Sequence, residues 1–378
     1  MSVTVLTELS RYYGNRSDYV IAGGGNTSFK DESTLYIKGS GASLADIGEE
    51  DFVRMDRRLL ARIWEKTYPE DGDERETAVL ADMMAARRPG EERKRPSVET
   101  LLHDMLPFNF VVHTHPALVN GLTCSREGAA AAESLFAGEA LWIESTNPGY
   151  ILSLAVKNAM EAYRRRKGRP AQLILLQNHG IFVGADTAEG IKAAYGGVMG
   201  KLAARAPGGP DFSGETAEWE NSAELEKVLR ELAAGPGGGA VTVFRRNRAF
   251  AALTAGRAAF YPVSSAFTPD HIVYAGSDPL FVETGSPPEA AAALRAAWRD
   301  FTAAYGRIPK TAAVQGLGIF GIGPTEKAAR LALELFTDAV KVAYYAASFG
   351  GVRFMTQDQI DFINNWEVER YRANISGK

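Results

Sequence analysis

The sequence predicts an α/β fold in two parts, a larger first domain and a smaller second one. Three observations lead there. Short apolar runs alternate with stretches of helical periodicity, the signature of layered strands and helices. Two Gly/Pro-rich breaks, Ala206-Pro207-Gly208-Gly209-Pro210 and Gly235-Pro236-Gly237-Gly238-Gly239, interrupt this pattern, and such runs continue neither a helix nor a strand. A faint internal echo joins the two parts: QNHGIFVGADT (177–187) aligns without gaps to QGLGIFGIGPT (315–325), an offset of 138. We place the boundary near residue 210, giving domains 1–210 and 211–378, the second read as a degenerate repeat of the first.

In the first part, Tyr19–Ala22 (YVIA), Leu35–Ile37, Phe110–His113 (FVVH) and Leu173–Leu176 (LILL) read as strands. Helices are expected over 50–65, 75–87, 97–105, 151–166 and 187–204. In the second part, Ala240–Phe244, His271–Tyr274 and Ala312–Val314 read as strands. Residues 216–234, 288–305, 325–347 and 357–372 read as helices, the first carrying Leu225, Val228, Leu229 and Leu232 at helical spacing.

Bulk properties narrow the partners. The chain has 378 residues, 46% of them apolar and 23% charged, the proportions of an ordinary globular protein. A formal net charge of −4 gives no reason to expect a nucleic acid or an anionic membrane surface as partner. No apolar run approaches the roughly 18 residues of a membrane span. The N-terminus lacks the basic-then-apolar pattern of a secretion signal. A lone cysteine, Cys124, excludes an internal disulfide and fits a reducing compartment. The expected location is cytoplasmic.

The five histidines are the most informative residues. His113-Thr114-His115-Pro116 follows an apolar run, and residues i and i+2 of a strand share a face, so two imidazoles can meet one point. His179 follows a second apolar run and precedes Gly180, at a strand's carboxyl end, where α/β sheets form sites. Three imidazoles with an open fourth position suit a catalytic zinc ion. By spacing alone, an H-x-H pair also reads as two incidental histidines at a strand end. Glu99 and His103 lie four apart on a helix for which Ser97 is the expected N-cap. A carboxylate there can ligate a metal or carry a proton; a solvated helix pair is the plainer alternative. His271, inside an apolar stretch, reads as structural.

Two glycine-rich loops follow expected strands, Gly23-Gly24-Gly25-Asn26-Thr27-Ser28 and Lys38-Gly39-Ser40-Gly41. Glycines admit close backbone approach, and successive N–H groups with hydroxyls suit an anion such as phosphate. Each is equally a tight turn. Gly316-Leu317-Gly318-Ile319-Phe320-Gly321 matches the dinucleotide pattern G-x-G-x-x-G. It is discounted, because Gly323-Pro324-Thr325 separates it from the helix those glycines should open.

Together, GGGNTSFK (23–30), YIKGSG (36–41), SVETLLHDMLPFNFVVHTHP (97–116) and LLQNHGIFVG (175–184) resemble the class II aldolase/adducin family over roughly residues 10 to 205. Within it the chain is most similar to the aldolase part of bifunctional rhamnulose-1-phosphate aldolase/alcohol dehydrogenases, without their dehydrogenase domain. TPDHIVYAG (268–276), AVQGLGIFGIG (313–323) and FINNWEVERYR (362–372) look like the segment that follows the aldolase part in those proteins.

The resemblance implies a class II aldolase-like α/β/α sandwich. It implies His113, His115 and His179 as ligands of a divalent metal, zinc first. Glu99 becomes the catalytic proton carrier and a further metal contact, and Gly25, Asn26, Ser40, Gly41 and Ser97 the substrate-phosphate positions. The implied activity is a metal-dependent aldolase, a lyase that cleaves or forms a C–C bond in a sugar phosphate or related hydroxy-carbonyl compound through a metal-stabilised enediolate. Alternatives on the same scaffold are an epimerase, a decarboxylase or a non-catalytic adducin-like interaction protein. The expected partners are a small-molecule substrate and further copies of the chain, a homo-oligomer up to a tetramer. One departure stands out. The family's proton-donating tyrosine has no counterpart, since Ile143 or Ser145 falls at its position and Tyr150 follows only after Pro148-Gly149.

Overall fold

A computed structural model describes residues 2–234 and 239–366. The chain divides into two compact units, the first ending at Pro207 and the second running from Gly208 to Asn365. Each is described by itself.

The first unit is built on a seven-stranded sheet. In chain order its strands are β1 (Asn26–Lys30), β2 (Thr34–Lys38), β3 (Phe52–Asp56), β4 (Phe110–Thr114), β5 (Ala140–Ile143), β6 (Leu173–Leu176) and β7 (Gly180–Ala185), arranged β3-β2-β1-β4-β7-β6-β5. All neighbours are antiparallel except β5 and β6. The central β4 is buried along its whole length, which is why FVVHT carries no polar alternation.

Helices cover both faces. On one, Val111, Ile174, Leu176 and Phe182 pack with Leu102 and with Leu152, Val156 and Met160 of the helix Tyr150–Lys167. On the other, the Tyr195 hydroxyl, from the helix Ala188–Arg205, bonds Thr114 Oγ1 at 2.8 Å. There too Ser10, from the helix Ser2–Gly14, meets Thr27 Oγ1 at 2.6 Å. The period-2 alternation of the strands therefore sorts side chains between two helical layers, an α/β/α sandwich.

The second unit repeats the scheme with four strands, β8 (Val241–Arg245), β9 (Leu280–Val282), β10 (Thr311–Val314) and β11 (Gly318–Gly323), in the order β8-β11-β10-β9. Leu280, Val282, Ala312, Val314 and Phe320 face Leu225, Leu229, Leu294 and Trp298. Phe281, Ala313 and Ile319 face Leu333, Phe336 and Val340 of the helix Glu326–Ala346.

The echo in sequence has a counterpart in hydrogen bonding. In the first unit Leu173 pairs Val183 and Leu176 pairs Gly180; in the second, Thr311 pairs Gly321 and Val314 pairs Gly318, each 138 residues on. Both outer pairs, β5 with β6 and β9 with β10, are parallel. The Gln177 side chain accepts from Ser145 N at 3.0 Å, and the Gln315 side chain from Thr284 N at 3.2 Å. Asn178 and Gly316, one residue later, both have positive φ, 56° and 70°. Thr187 and Thr325 each cap the following helix through their hydroxyls.

Several expectations are corrected. Tyr19–Ala22 is a turn, with Ala22 at φ 53°, and the strand begins later, at Asn26. Residues 50–65 are not one helix: a short turn at Glu49–Asp51 leads into β3, and the helix is Arg57–Ile63, capped by Asp56. Phe52, Val53 and Met55 are needed in the sheet, and their burial there overrides the helical propensity of the charged residues around them. His271–Tyr274 lies in a π-helical turn, His271–Ala275, buried on every side; complete burial removes the alternation that separates strand from helix. Ser97 is not a helix N-cap, since the helix begins at Thr100 and Glu99 occupies the cap position. The expected helix 357–372 is described over Gln357–Asn365, and its remainder from residue 367 lies outside the described residues. Gly235–Gly238 lie outside them as well. Among the described residues, no helix is long and apolar enough to cross a membrane.

Candidate metal centre

The centre of the first sheet supplies the site. His113 sits on β4 between Asn26 of β1 and Phe182 of β7. Its ring stacks on Phe182 with centroids 4.0 Å apart and is 1% exposed. Nδ1 lies 2.9 Å from Ile181 O, a carbonyl that can only accept, so Nδ1 carries the proton and the Nε2 lone pair is left for a ligand.

His115 lies two residues on, and its Nε2 is 2.8 Å from that of His113. His179 hangs from the turn between β6 and β7. The ligand atoms of the three imidazoles all lie within 4.8 Å of one another. Gly180 makes this approach possible. A Cβ there would stand 2.6 Å from both His115 Cδ2 and Thr114 O, so only glycine admits the turn so close to β4.

Glu99 completes the cluster. Its Oε1 is 3.4 Å from His113 Nε2 and 3.6 Å from His179 Nε2. That oxygen is buried and accepts no hydrogen bond from the protein. A desolvated carboxylate oxygen facing converging imidazole nitrogens, with no donor of its own, is what a bound dication would satisfy. Three nitrogens and one oxygen also match the donor set of zinc. The residues present therefore fit a divalent metal.

A buried polar chain holds Glu99. Its Oε2 accepts from Asn26 Nδ2 at 2.5 Å, and the same amide donates to Ser97 Oγ at 3.1 Å. Asn26 Oδ1 accepts from His103 Nε2. The other ring nitrogen of His103 faces the Ser28 hydroxyl at 2.7 Å. Burial pushes the His103 pKa well below its usual value, so the ring is neutral, with one nitrogen donating and the other accepting. This fixes the orientation of the Asn26 amide. Beneath it, the buried Lys30 ammonium donates to His103 O, and desolvation lowers its pKa to about 7.

The glycine loops close around the same corner. Gly25 has φ +68°, and a Cβ on it would lie 2.7 Å from His113 O. Gly41 has φ +90°. Ser40 N bonds Arg95 O at 2.7 Å and Ser97 N bonds Lys38 O, which lays the Ser40–Gly41 turn alongside Ser97. Lys38 Nζ reaches Gly23 O at 3.4 Å. The structure thus brings Gly25, Asn26, Ser40, Gly41 and Ser97 into one neighbourhood with Glu99.

Ile143 ends β5 as a buried core residue. Tyr150, the nearby tyrosine, begins a helix and packs its ring against Tyr68 and Trp64. Sequence reasoning missed the function of Asn26 as a partner of Glu99 and that of Gln177 in pinning the β5 loop. The first has no local signal, because it depends on the register that sets β1 beside β4. The second was hinted at by the repeat of Gln at position 315.

The profile of the Class II Aldolase and Adducin N-terminal domain family matches residues 5–195. Over 94% of its length the chain is 21% identical to a Bacillus subtilis (strain 168) protein named uncharacterized oxidoreductase YuxG, and it spans 55% of that relative's length. A solved N-terminal class II aldolase domain from Thermoplasma acidophilum is 25% identical, with a TM-score of 0.45, covering 53% of this chain and 92% of that one. An L-fuculose 1-phosphate aldolase is 19% identical, with a TM-score of 0.36, covering 52% of this chain and 82% of its own. With its family profile extending over half of its residues, the chain belongs to the class II aldolase and adducin family.

Proposed function

We propose that the first unit is a metal-dependent aldolase acting on a sugar phosphate or related hydroxy-carbonyl compound. The observation that carries this reading is the convergence of His113, His115 and His179 with the unpartnered buried oxygen of Glu99. His113, His115 and His179 would hold the ion, with zinc first in line by donor set. When bound, a dication polarises a substrate carbonyl and makes the adjacent C–H acidic.

The chain's own residues do the rest. The His113 Nδ1–H is committed to Ile181 O, so that ring cannot turn away. Asn26 donates to Glu99 Oε2 and leaves Oε1 as the proton acceptor. His103 keeps Asn26 in the orientation that donates. Gly25, Ser40, Gly41 and Ser97 would seat the substrate's phosphate or carboxylate, with Lys38 adding positive charge. The same set would serve a rhamnulose-phosphate-like substrate, as the sequence resemblance suggests, and a homo-oligomer in the cytoplasm is the expected setting.

A second reading, epimerase or decarboxylase, is favoured by one observation: Ile143 or Ser145 stands where the family's proton-donating tyrosine belongs. An oxidoreductase activity, as in the name of the Bacillus subtilis relative, finds no support in the G-x-G-x-x-G segment. Gly318–Gly323 is a strand here, and the next helix opens at Glu326.

The test is elemental analysis of the purified protein followed by a retro-aldol assay on a panel of ketose 1-phosphates. About one dication per chain and release of an aldehyde is the expected result. Stoichiometric metal without C–C cleavage, but with stereochemical inversion or CO2 release, would shift the function to the second reading. Absence of metal after reconstitution would remove both.

A further inference from the structure

The matched registers of the two sheets identify which residues of the second unit stand where the metal ligands stand in the first. Thr114 pairs Ile181 and His113 pairs Phe182; in the second unit Arg245 pairs Ile319 and Phe244 pairs Phe320. Phe244 therefore takes the place of His113, Arg246 that of His115, and Leu317 that of His179. None of the three can share a dication. The Arg246 guanidinium donates to the carbonyls of Gly316 and Leu317 and lies 4.3 Å above the Trp219 ring. A fixed internal cation occupies the position of a metal ligand.

The crevice at this place is open nonetheless. A cavity of about 220 Å³ lies at the turn between β10 and β11, lined by Trp219, Glu220, Thr284, Ser286, Gln315 and Leu317 among others. Its walls are an indole, two hydroxyl side chains, an amide, a carboxylate and glycine backbone, together with the apolar Ala290, Val314 and Leu317. Among the described residues lining it, Glu220 carries the one charged side chain. With the Arg246 guanidinium against its Trp219, Gly316 and Leu317 walls, the pocket carries one charge of each sign and offers no net attraction to an anion. An aromatic face beside hydroxyl and amide groups is a surface that a neutral, hydroxyl-rich molecule satisfies.

We propose that the second unit is a degenerate copy of the first, which has exchanged its metal centre for a metal-independent pocket binding a neutral polyol or aldose. Hydrogen bonds brace the edge of the pocket. Gln315 Oε1 pins Thr284 N, its Nε2 donates to Ala255 O at 3.3 Å, and Gln315 N bonds Val282 O at 2.9 Å. Ligand hydroxyls meet a pre-formed edge rather than a loop that must order on binding.

Ribitol and D-xylose serve as probes, with inorganic phosphate as the charged comparison. Titration calorimetry uses the full chain, before and after metal chelation, in the natural sequence and in His179→Leu. Binding of ribitol or xylose should survive chelation and His179→Leu unchanged. It should weaken about tenfold in Trp219→Ala and recover in Trp219→Phe, which restores an aromatic face. Melting curves of the variants show whether each remains folded. Should Trp219→Ala not fold, Ser286→Ala replaces it, with a smaller loss expected. The proposal is overturned by absence of binding to either probe, by binding that disappears with His179→Leu while ignoring Trp219 and Ser286 substitutions, or by phosphate displacing the sugar. Because the readout excludes metal and turnover, failure here leaves the aldolase reading of the first unit standing, and failure of that reading leaves this one.

Discussion

The two sheets share a strand register and differ in what the matching strands carry. In the first, the strand-end positions hold His113, His115 and His179; in the second they hold Phe244, Arg246 and Leu317. Backbone geometry is the same in kind: a parallel pair, an antiparallel return, a positive-φ residue in the turn and a threonine cap on the next helix. The difference teaches that this framework places three side chains at one point whatever they are. Chemistry then follows from side-chain identity and from what the flanking segments add. In the first unit a carboxylate arrives from the segment before Thr100; in the second an indole arrives at Trp219.

The sharpest way to break the contrast is to write the second unit's residue into the first. His179→Leu should leave under a tenth of the metal and lower turnover about a thousandfold, the loss expected when several kcal/mol of charge stabilisation go. The reciprocal Leu317→His should bind no metal, because Phe244 and Arg246 remain. Elemental analysis of both variants decides. Next in size, Glu99→Gln keeps the three imidazoles while removing the proton acceptor. Metal content should hold, and turnover should fall by about 10²- to 10⁴-fold. Loss of the ion instead would make Glu99 a ligand first and a base second.

A pair of glycines tests whether the two turns are equally tight. A Cβ at Gly180 meets His115 Cδ2 and Thr114 O at 2.6 Å; one at Gly318 meets Phe244 Cε2 at 2.7 Å and Arg245 O at 2.8 Å. Gly180→Ala and Gly318→Ala should each cost about 1–3 kcal/mol in denaturant unfolding. Only the former should also lower metal content. Smallest of all, Thr187→Ala and Thr325→Ala should each cost about 1 kcal/mol through a lost helix cap, with equal effects if the two units are equivalent at this position.

Much of this was legible in the chain. The H-x-H pair at a strand end and the histidine before Gly180 could be read as candidate ligands, since strand periodicity and the carboxyl-end rule are local signals. The buried strands β4 and β6 were plain as apolar runs. What escaped was whatever depends on register. β3 looks helical until Phe52, Val53 and Met55 are seen to complete the sheet edge beside β2. The segment from Asn26 to Lys30 looks like a glycine loop's continuation until its pairing with β4 is known. Asn26, read as a phosphate position, spends its amide on Glu99 and Ser97, an engagement that no spacing rule contains. His271 and its apolar neighbours have no periodicity, because burial surrounds them on all sides.

The bond from His113 to Ile181 O has a consequence for variation in this protein. The protonation form of that imidazole is dictated by a peptide carbonyl of the adjacent strand rather than by a neighbouring acid or amide. Side-chain exchange at position 181 leaves that oxygen where it is. The ring can lose its assigned tautomer only if β4 and β7 part, so the ligand's readiness and the integrity of the sheet fail together.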